Sequence, residues 1–454
     1  MSRRLSLDLT DLVPGDLPLV DALWVAPLLD SRRVATVLQD QIESDQNVVT
    51  SCVVKHVRYR PGAACTVLFE VGFSSRGSSR SIWIYGKVTA PGRNLPVIPK
   101  IFSGAVTHGF VLLKNPVLVV VDRTVFYEFP IDPFLPAIAR VLDPEALGRD
   151  ILEGIGLELQ DKNSLSVEIE PLRYKPEHRL VLRVQIGLER QREDEGLLWD
   201  GLVRFEHRVD HQNRRRLVQA LQELLIDHDE ITVPDPETYL PGVGCSINSW
   251  WTGEDLARKI RKGNLDATFR AGQVLARIHQ LSTPDFLTLG TSKTSATVNR
   301  QVESLINNPP ANRLVDDYRR TVAAFSLPAN DRKNCLVHGD FHQGQLLAQG
   351  ERTCILDWDR AHLGDPMEDY GRFQAQIHLL ELRGRVAAPP LMKAFSKGYL
   401  ERGGPKDPEG ETFWTGLALI DLGLREVRRQ RSGWKVASEL ILARAKLVSE
   451  GRVA

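Results

Sequence analysis

Apolar positions along this chain follow two different periods. In the first half, VKHVRYRPGAACTVLFEVGF and SRSIWIYGKVTA predict strands joined by the Ser/Gly/Arg-rich segment FSSRGSSRS. A similar pattern returns at PLRYKPEHRLVLRVQIGL, followed by the charged loop ERQREDEG and then LLWDGLVRFEHR. The strongest apolar run, PVLVVV at 116–121, lies between Lys114 and Asp122 and reads as a buried strand, far too short to span a bilayer. In the C-terminal third the period lengthens. Phe269, Gly272, Leu275, Ala276 and His279 recur at three- and four-residue spacing, which places them on one helical face. RSGWKVASELILARAKLVSEG repeats that spacing and ends on Gly451 as a C-cap. Between these helices lie short strands, NCLVHGD and QLLAQGERTCILDWD, the latter folding at Gln349-Gly350-Glu351 into a hairpin.

The two strand-rich stretches resemble each other. Arg58-Tyr59-Arg60-Pro61 falls on Arg173-Tyr174-Lys175-Pro176 with an offset of 115 (58 to 173). Cys65, Val67 and Val71 then align with Leu180, Leu182 and Ile186, and Lys87 lands two positions short of Arg204. A duplicated antiparallel sheet is expected.

Composition narrows the class. At 454 residues the chain exceeds one small core, and two or three domains are expected. Lys+Arg and Asp+Glu both number 58, so no global field favours nucleic acid or an anionic membrane. The RRR run at 214–216 reads as a solvated helix face. Five scattered cysteines without a C-x-x-C pair suggest neither zinc nor a disulfide framework. The N-terminus, interrupted by Asp8 and Asp11, does not read as a signal peptide, and a cytoplasmic protein is expected.

Candidate chemistry concentrates in LVHGDFHQGQLLA. Asp340 follows an apolar strand, Gln345 comes five positions later, and Asp357 ends the next strand-like run, Cys354-Ile355-Leu356. Two carboxylates and an amide oxygen on adjacent strand ends suit Mg²⁺, which takes hard oxygen ligands together with phosphates and water. The remaining carboxylate can orient a substrate hydroxyl, so the set suits phosphoryl transfer.

HGDFHQGQ, ILDWDRA and GDPMED, in this order, resemble the H-G-D-x-H-x-x-N, I-D-W-D/E and G-D-P-x-x-D motifs of the aminoglycoside phosphotransferase family. The helix bearing LARIHQL is similar to the helix preceding that family's catalytic loop. The resemblance runs from about Asp200 to Ala454. It implies an α+β, bilobal protein-kinase-like fold, with a small antiparallel-sheet lobe, a mainly helical C-lobe and an additional N-terminal α+β domain resembling a second small lobe. The expected units are 1–148, 149–252 and 253–454. By resemblance, Asp340 is the catalytic aspartate, Gln345 and Asp357 hold Mg²⁺, and His338, Asp365 and Asp369 are structural. Gln345 stands where the family has Asn. Maltokinases and related sugar kinases share that Gln, which tilts the acceptor toward a sugar, aminosugar or aminoglycoside-like molecule.

The donor implied is ATP or GTP. Two cations compete for its phosphates: Arg204, with Glu223 as helix partner, and Lys87 in the earlier repeat. No G-x-G-x-x-G loop is present, so the turn carrying Lys175, His178 and Arg179 would cover the phosphates. Ser249, Trp250 and Trp251 form the hinge candidate, which reads the purine or belongs to the core at the lobe junction. For the acceptor, His342, Asp359 and Glu381 are candidates, each with a plain structural alternative. The competing functional reading is a pseudokinase, a nucleotide- or protein-binding module without catalysis. Neither reading calls for nucleic acid or membrane, and the oligomeric state is left open.

Overall fold

The computed structural model describes residues 19–42, 47–75, 78–94, 117–120, 123–157, 164–188, 196–207, 209–287, 300, 303, 313–325, 334–431 and 433–452. Two helices lead, α1 (Leu19–Leu29) and α2 (Ser31–Gln39), the second capped by the Asp30 side chain. A long antiparallel hairpin follows, β1 (Asn47–Arg60) and β2 (Ala64–Ser75), then β3 (Ser78–Thr89), β4 (Val117–Val120) and β5 (Thr124–Glu128). They form one sheet in the order β1-β2-β3-β5-β4. The Ser/Gly/Arg segment expected as a loop is mostly strand. Pairing of β2 with β3 continues out to Ser75 and Ser78, because exposed Ser and Arg side chains do not interrupt a backbone ladder.

Helix α3 (Pro144–Gly154) precedes the second sheet, which contains β6 (Leu165–Lys175), β7 (Arg179–Leu188) and β8 (Leu197–Glu206). After α4 (His211–Leu224) and β9 (Ile231–Thr232), the strands β10 (Thr238–Leu240) and β11 (Cys245–Ser249) return to complete it. The order is β10-β11-β8-β7-β6. Residue 148 lies inside α3, whose Leu147, Ile151 and Leu152 pack against this second sheet. The two sheets share one core: Leu68, Tyr85, Val125 and Tyr127 of the first are buried with Leu180, Leu182 and Val203 of the second.

The duplication is visible in three dimensions. Tyr59 Oη and Gly62 N–H donate to Asp21 Oδ2, the latter over 2.8 Å. Tyr174 Oη and Glu177 N–H donate to Asp132 Oδ2, at 2.9 and 2.7 Å. Gly62 and Glu177, again 115 positions apart, both adopt positive φ, 59° and 64°. Glycine does so freely, whereas at Glu177 the left-handed backbone costs about 1 kcal/mol. That cost is offset by three contacts: Asp132 on its amide, Arg58 (2.7 Å) and Lys87 (2.6 Å) on its carboxylate. The first sheet therefore grips the β6–β7 turn of the second.

The C-lobe contains β12 (Glu254–Asp255), α5 (Leu256–Ile260), α6 (Leu265–Gln280) and α7 (Arg313–Ala323). Then come β13 (Cys335–Val337), β14 (Leu346–Gln349), β15 (Arg352–Ile355) and β16 (His362–Gly364). Four helices close it: α8 (Met367–Leu382), α9 (Ala388–Glu401), α10 (Pro408–Arg429) and α11 (Trp434–Ser449). The hairpin turns at Gly350, and Gly451 follows the last helix with φ 66°. Strand β1 of the first sheet packs along α10, so all three units meet. No helix among the described residues is long and apolar enough to cross a membrane, and all five cysteines are free thiols.

Candidate active site

The β13–β16 pair sets the segment after Val337 beside the Gly364-Asp365-Pro366 segment. Asp369, in the first turn of α8 and fully buried, accepts hydrogen bonds from His338 N–H (2.6 Å) and Gly339 N–H (2.9 Å). Gly339 has φ 74°, and a Cβ there would lie 2.4 Å from the Arg360 carbonyl, so only glycine fits. His338 is buried, and its Nε2 lies 2.8 Å from the Leu356 carbonyl. That acceptor requires Nε2–H, which leaves Nδ1 to receive Asp340 N–H at 3.3 Å. Leu356 N–H in turn donates to the Gln345 carbonyl at 2.9 Å, tying the Asp340 and Asp357 loops together. Asp365 accepts from Met367 N–H and Trp414 Nε1, anchoring the start of α8 to α10. His279 bonds Tyr399 through Nδ1 and turns Nε2 toward Asp369 at 3.7 Å.

Within this frame Asp340 and Asp357 lie near enough for their charges to interact, both as ionised carboxylates. Burial alone pushes the Asp340 carboxyl up, but Arg372, Arg360 and His342 outweigh it and hold it at about 2. Arg372 Nη1 lies 3.2 Å from Asp340 Oδ1 and Arg360 Nη1 lies 4.0 Å away. Burial likewise opposes ionisation of Asp357, yet Arg179, His338 and Arg204 bring its carboxyl below the usual range. Asp357 has φ 62°, a left-handed conformation that Asp tolerates better than most residues. The Gln345 amide sits 3.5 Å from Asp357 Oδ2 and 3.5 Å from His342 Nε2. Burial lowers His342 to about 4, so it is neutral at physiological pH, and its Nδ1 accepts Gly344 N–H.

Above Asp357 lies a network of three arginines and three carboxylates. Arg179 reaches Glu206 (3.3 Å) and Asp359 (4.0 Å), and Arg204 reaches Glu237 (4.0 Å). Arg214 binds Glu206 (2.7 Å), Glu237 (3.0 Å) and Asp359 (2.7 Å). Burial, then the neighbouring Asp357 charge, pushes the Asp359 carboxyl up to about 6 against the pull of Arg214.

This differs from the expected pairing. The carboxylate nearest Arg204 is Glu237, while Glu223 is exposed in the last turn of α4. The helix-to-strand ion pair runs in the opposite sense, from Arg214 on α4 to Glu206 on β8. Arg214, only 10% exposed, is therefore not part of a solvated face. Lys87 is held by Glu177 and lies over the Phe134 ring, at the junction of the two sheets. Lys175 and Arg179 flank the β6–β7 turn. Burial first, then Arg173 and Arg179, lowers Lys175 to about 8. At the hinge, Trp250 N–H is spent on the Asp200 carbonyl, and its ring lies under Arg183. Ser249 pairs with Gly201 across the sheet, and Trp251 is half-buried beside Gly253. Glu381 accepts from Ala388 N–H and Arg444, so it caps α9 rather than facing Asp340. Arg372, Arg214, Glu206 and Glu237 were not singled out from the sequence, because separate elements bring them together only in the fold.

One ionised carboxylate and one side-chain amide fit Mg²⁺, which needs few protein oxygens when phosphates and water supply the rest. A half-turn of the Gln345 amide presents its oxygen to Asp357 in place of nitrogen. Among the described residues no group of three or more His, Cys, Asp or Glu side chains forms a self-sufficient metal cage.

The sequence profile of the phosphotransferase enzyme family matches residues 177–408, just over half of the chain. The chain belongs to the phosphotransferase enzyme family. For this phosphotransferase the match begins in the β6–β7 turn and ends at the first residue of α10. The first sheet and nearly all of α10 and α11 lie outside it. Similar solved structures include macrolide 2'-phosphotransferase MphH from Brachybacterium faecium, at 18% identity, covering 66% of this chain and 97% of that one, TM-score 0.39. A thermostable mutant of the aminoglycoside phosphotransferase APH(4)-Ia is 14% identical over 68% of this chain and 99% of that one, TM-score 0.46. Choline kinase from Cryptosporidium parvum Iowa II is 11% identical over 65% and 93%, TM-score 0.44. No curated protein matches the chain.

Proposed function

We propose that this phosphotransferase moves the γ-phosphate of ATP or GTP, bound with Mg²⁺, to a hydroxyl of a small sugar-like acceptor. The observation that carries this reading is the pairing of two ionised carboxylates, Asp340 and Asp357, on loops joined through Leu356 and Gln345. Asp357 and Gln345 would hold the metal, and the chemistry it would supply is neutralisation of phosphate charge. Arg179 and Arg204 would meet the phosphates, and the Lys175 turn would lie over them.

Asp340 accepts the hydrogen bond of the acceptor hydroxyl and aims its oxygen at phosphorus. With its carboxyl held at about 2, Asp340 is a weak base, suited to orienting the hydroxyl rather than to removing its proton beforehand. The new bond joins acceptor oxygen to phosphorus, the bond from phosphorus to the β-phosphate oxygen breaks, and the hydroxyl proton passes to Asp340 and on to water. A loose phosphoryl transition state demands no more of the base than this.

The test is release of nucleoside diphosphate by the full-length protein with Mg²⁺, ATP or GTP, and a panel of sugars, sugar phosphates, sugar acids and amino sugars. An acceptor-dependent rate is expected, falling about 10²–10⁴-fold in Asp340→Asn. Failure of both nucleotides to bind at about 1 mM, the upper end of ordinary KM values, would overturn the reading.

A further inference from the structure

The cations facing Asp340 come from different elements than those facing Asp357. Arg179 and Arg204 of the second sheet belong to Asp357, whereas Arg372 of α8, Arg360, and Arg425 of α10 belong to Asp340. Further along α10 the charge continues. Arg425 and Arg428 both reach Asp421, at 2.7 and 3.8 Å, and Arg429 has no carboxylate within ion-pair distance among the described residues. Glu426, nearby, is engaged by Arg383 at 3.2 Å. Positions 421, 425, 428 and 429 are spaced at three and four residues, so they project from neighbouring turns of one side of α10. Four guanidinium groups, those of Arg360, Arg372, Arg425 and Arg428, thus converge around two carboxylates, Asp340 and Asp421, with Arg429 beside them on the same side of α10.

Such a cluster is costly for the protein alone. Arg425 and Arg429 are like charges one turn apart, an arrangement that destabilises a helix. Burial first, then Arg431, depresses Arg429 to about 10; Glu426 pulls the other way, and Arg425 and Arg173 add to the depression. The nucleotide cannot supply the missing anion here if its phosphates lie with Arg179, Arg204 and Asp357. A polycationic acceptor would add repulsion.

Resting on the phosphotransferase reading above, we infer that the acceptor carries an anionic group, phosphate or carboxylate. That group seats on Arg425, Arg428 and Arg429 of α10 while Asp340 receives the hydroxyl. These three arginines lie beyond residue 408, outside the family match, so the preference is a property of this chain's own C-terminal helix. Bidentate guanidinium contacts suit both anions, with phosphate offering more oxygens.

The test uses full-length protein saturated with Mg²⁺ and a non-hydrolysable ATP or GTP analogue, which also fills the γ-phosphate position. Calorimetry then compares glucose, glucose 6-phosphate, gluconate, glucosamine and inorganic phosphate. At least one anion is expected to bind about tenfold or more tighter than glucose and glucosamine. The Arg428→Glu/Arg429→Glu variant should erase that preference and leave nucleotide affinity unchanged. The milder Arg429→Gln should reduce the preference if the double variant does not fold. The balance between glucose 6-phosphate and gluconate tells phosphate from carboxylate. Tighter binding of glucose or glucosamine, no measurable anion binding, or anion binding indifferent to the variants would overturn the inference alone. A protein that binds no nucleotide would overturn both readings.

Discussion

Lys87 and Arg204 occupy the same ladder position in two copies of one sheet. Lys87 pairs across the strands with Thr66 and Arg204 pairs with Val181, and Thr66 and Val181 are themselves 115 positions apart. The two cations have diverged in what they hold. Lys87 grips Glu177 between the sheets, while Arg204 lies beside Asp357 and Glu237. Lys87→Met should therefore cost stability, about 1–2 kcal/mol in a urea titration, with nucleotide affinity almost unchanged. Arg204→Met should weaken nucleotide binding by about tenfold or more with a smaller stability loss. The reverse outcome would return the phosphate role to Lys87.

Asp369 is expected to act on catalysis without touching substrate. It holds the His338 and Gly339 amides that lead into Asp340, and Asp369→Asn replaces one acceptor oxygen with a donor facing an amide. Stability should fall by about 2–3 kcal/mol, and kcat should fall more than the nucleotide KM rises. A variant with normal kcat would show that the loop keeps its shape without this tether.

His56 on β1 gives a pH signature. Burial first, then the charges of Lys175, Arg429, Arg58 and Arg173, lowers it to about 4 from an ordinary 6.5. The unfolded chain therefore takes up the proton first. His56 costs nothing above pH 6.5, and stability is lost as pH falls from 6.5 toward 4, by on the order of 2 kcal/mol. His56→Gln should narrow the gap between urea midpoints at pH 7.5 and pH 5. An unchanged gap would show that His56 is already protonated in the folded state.

The candidate site's geometry was legible in the sequence because it is local. Asp340, Gln345 and Asp357 sit on short strand ends whose spacing fixes their neighbours. The duplication was legible for a related reason: Tyr59 and Tyr174 each anchor a turn, and the turn imposes the shared Arg-Tyr-basic-Pro pattern. The partner of Arg204 was not. Glu223 lies nine residues beyond Arg214 on α4, which is about 180° around the helix, so while Arg214 meets Glu206, Glu237 and Asp359, Glu223 faces water. Glu237 enters from the loop before β10, and neither period nor spacing announces it. Glu381 looked available because nothing in the sequence shows that Ala388 N–H and Arg444 engage it. The arginines of α10 carry no signal in the sequence, because only the packing of α10 on β1 and α8 gives them their surroundings.

The most direct measurement is the thermal stabilisation of the full-length protein by ATP and by GTP, with and without Mg²⁺, in wild type and Asp357→Asn. Asn tolerates the left-handed backbone at this position, so the variant should fold. The proposed site requires a stabilisation that depends on Mg²⁺ in the wild type and is largely lost in the variant. Stabilisation indifferent to Mg²⁺ or to the substitution, or none with either nucleotide, would contradict the assignment of Asp357 and Gln345 to the metal.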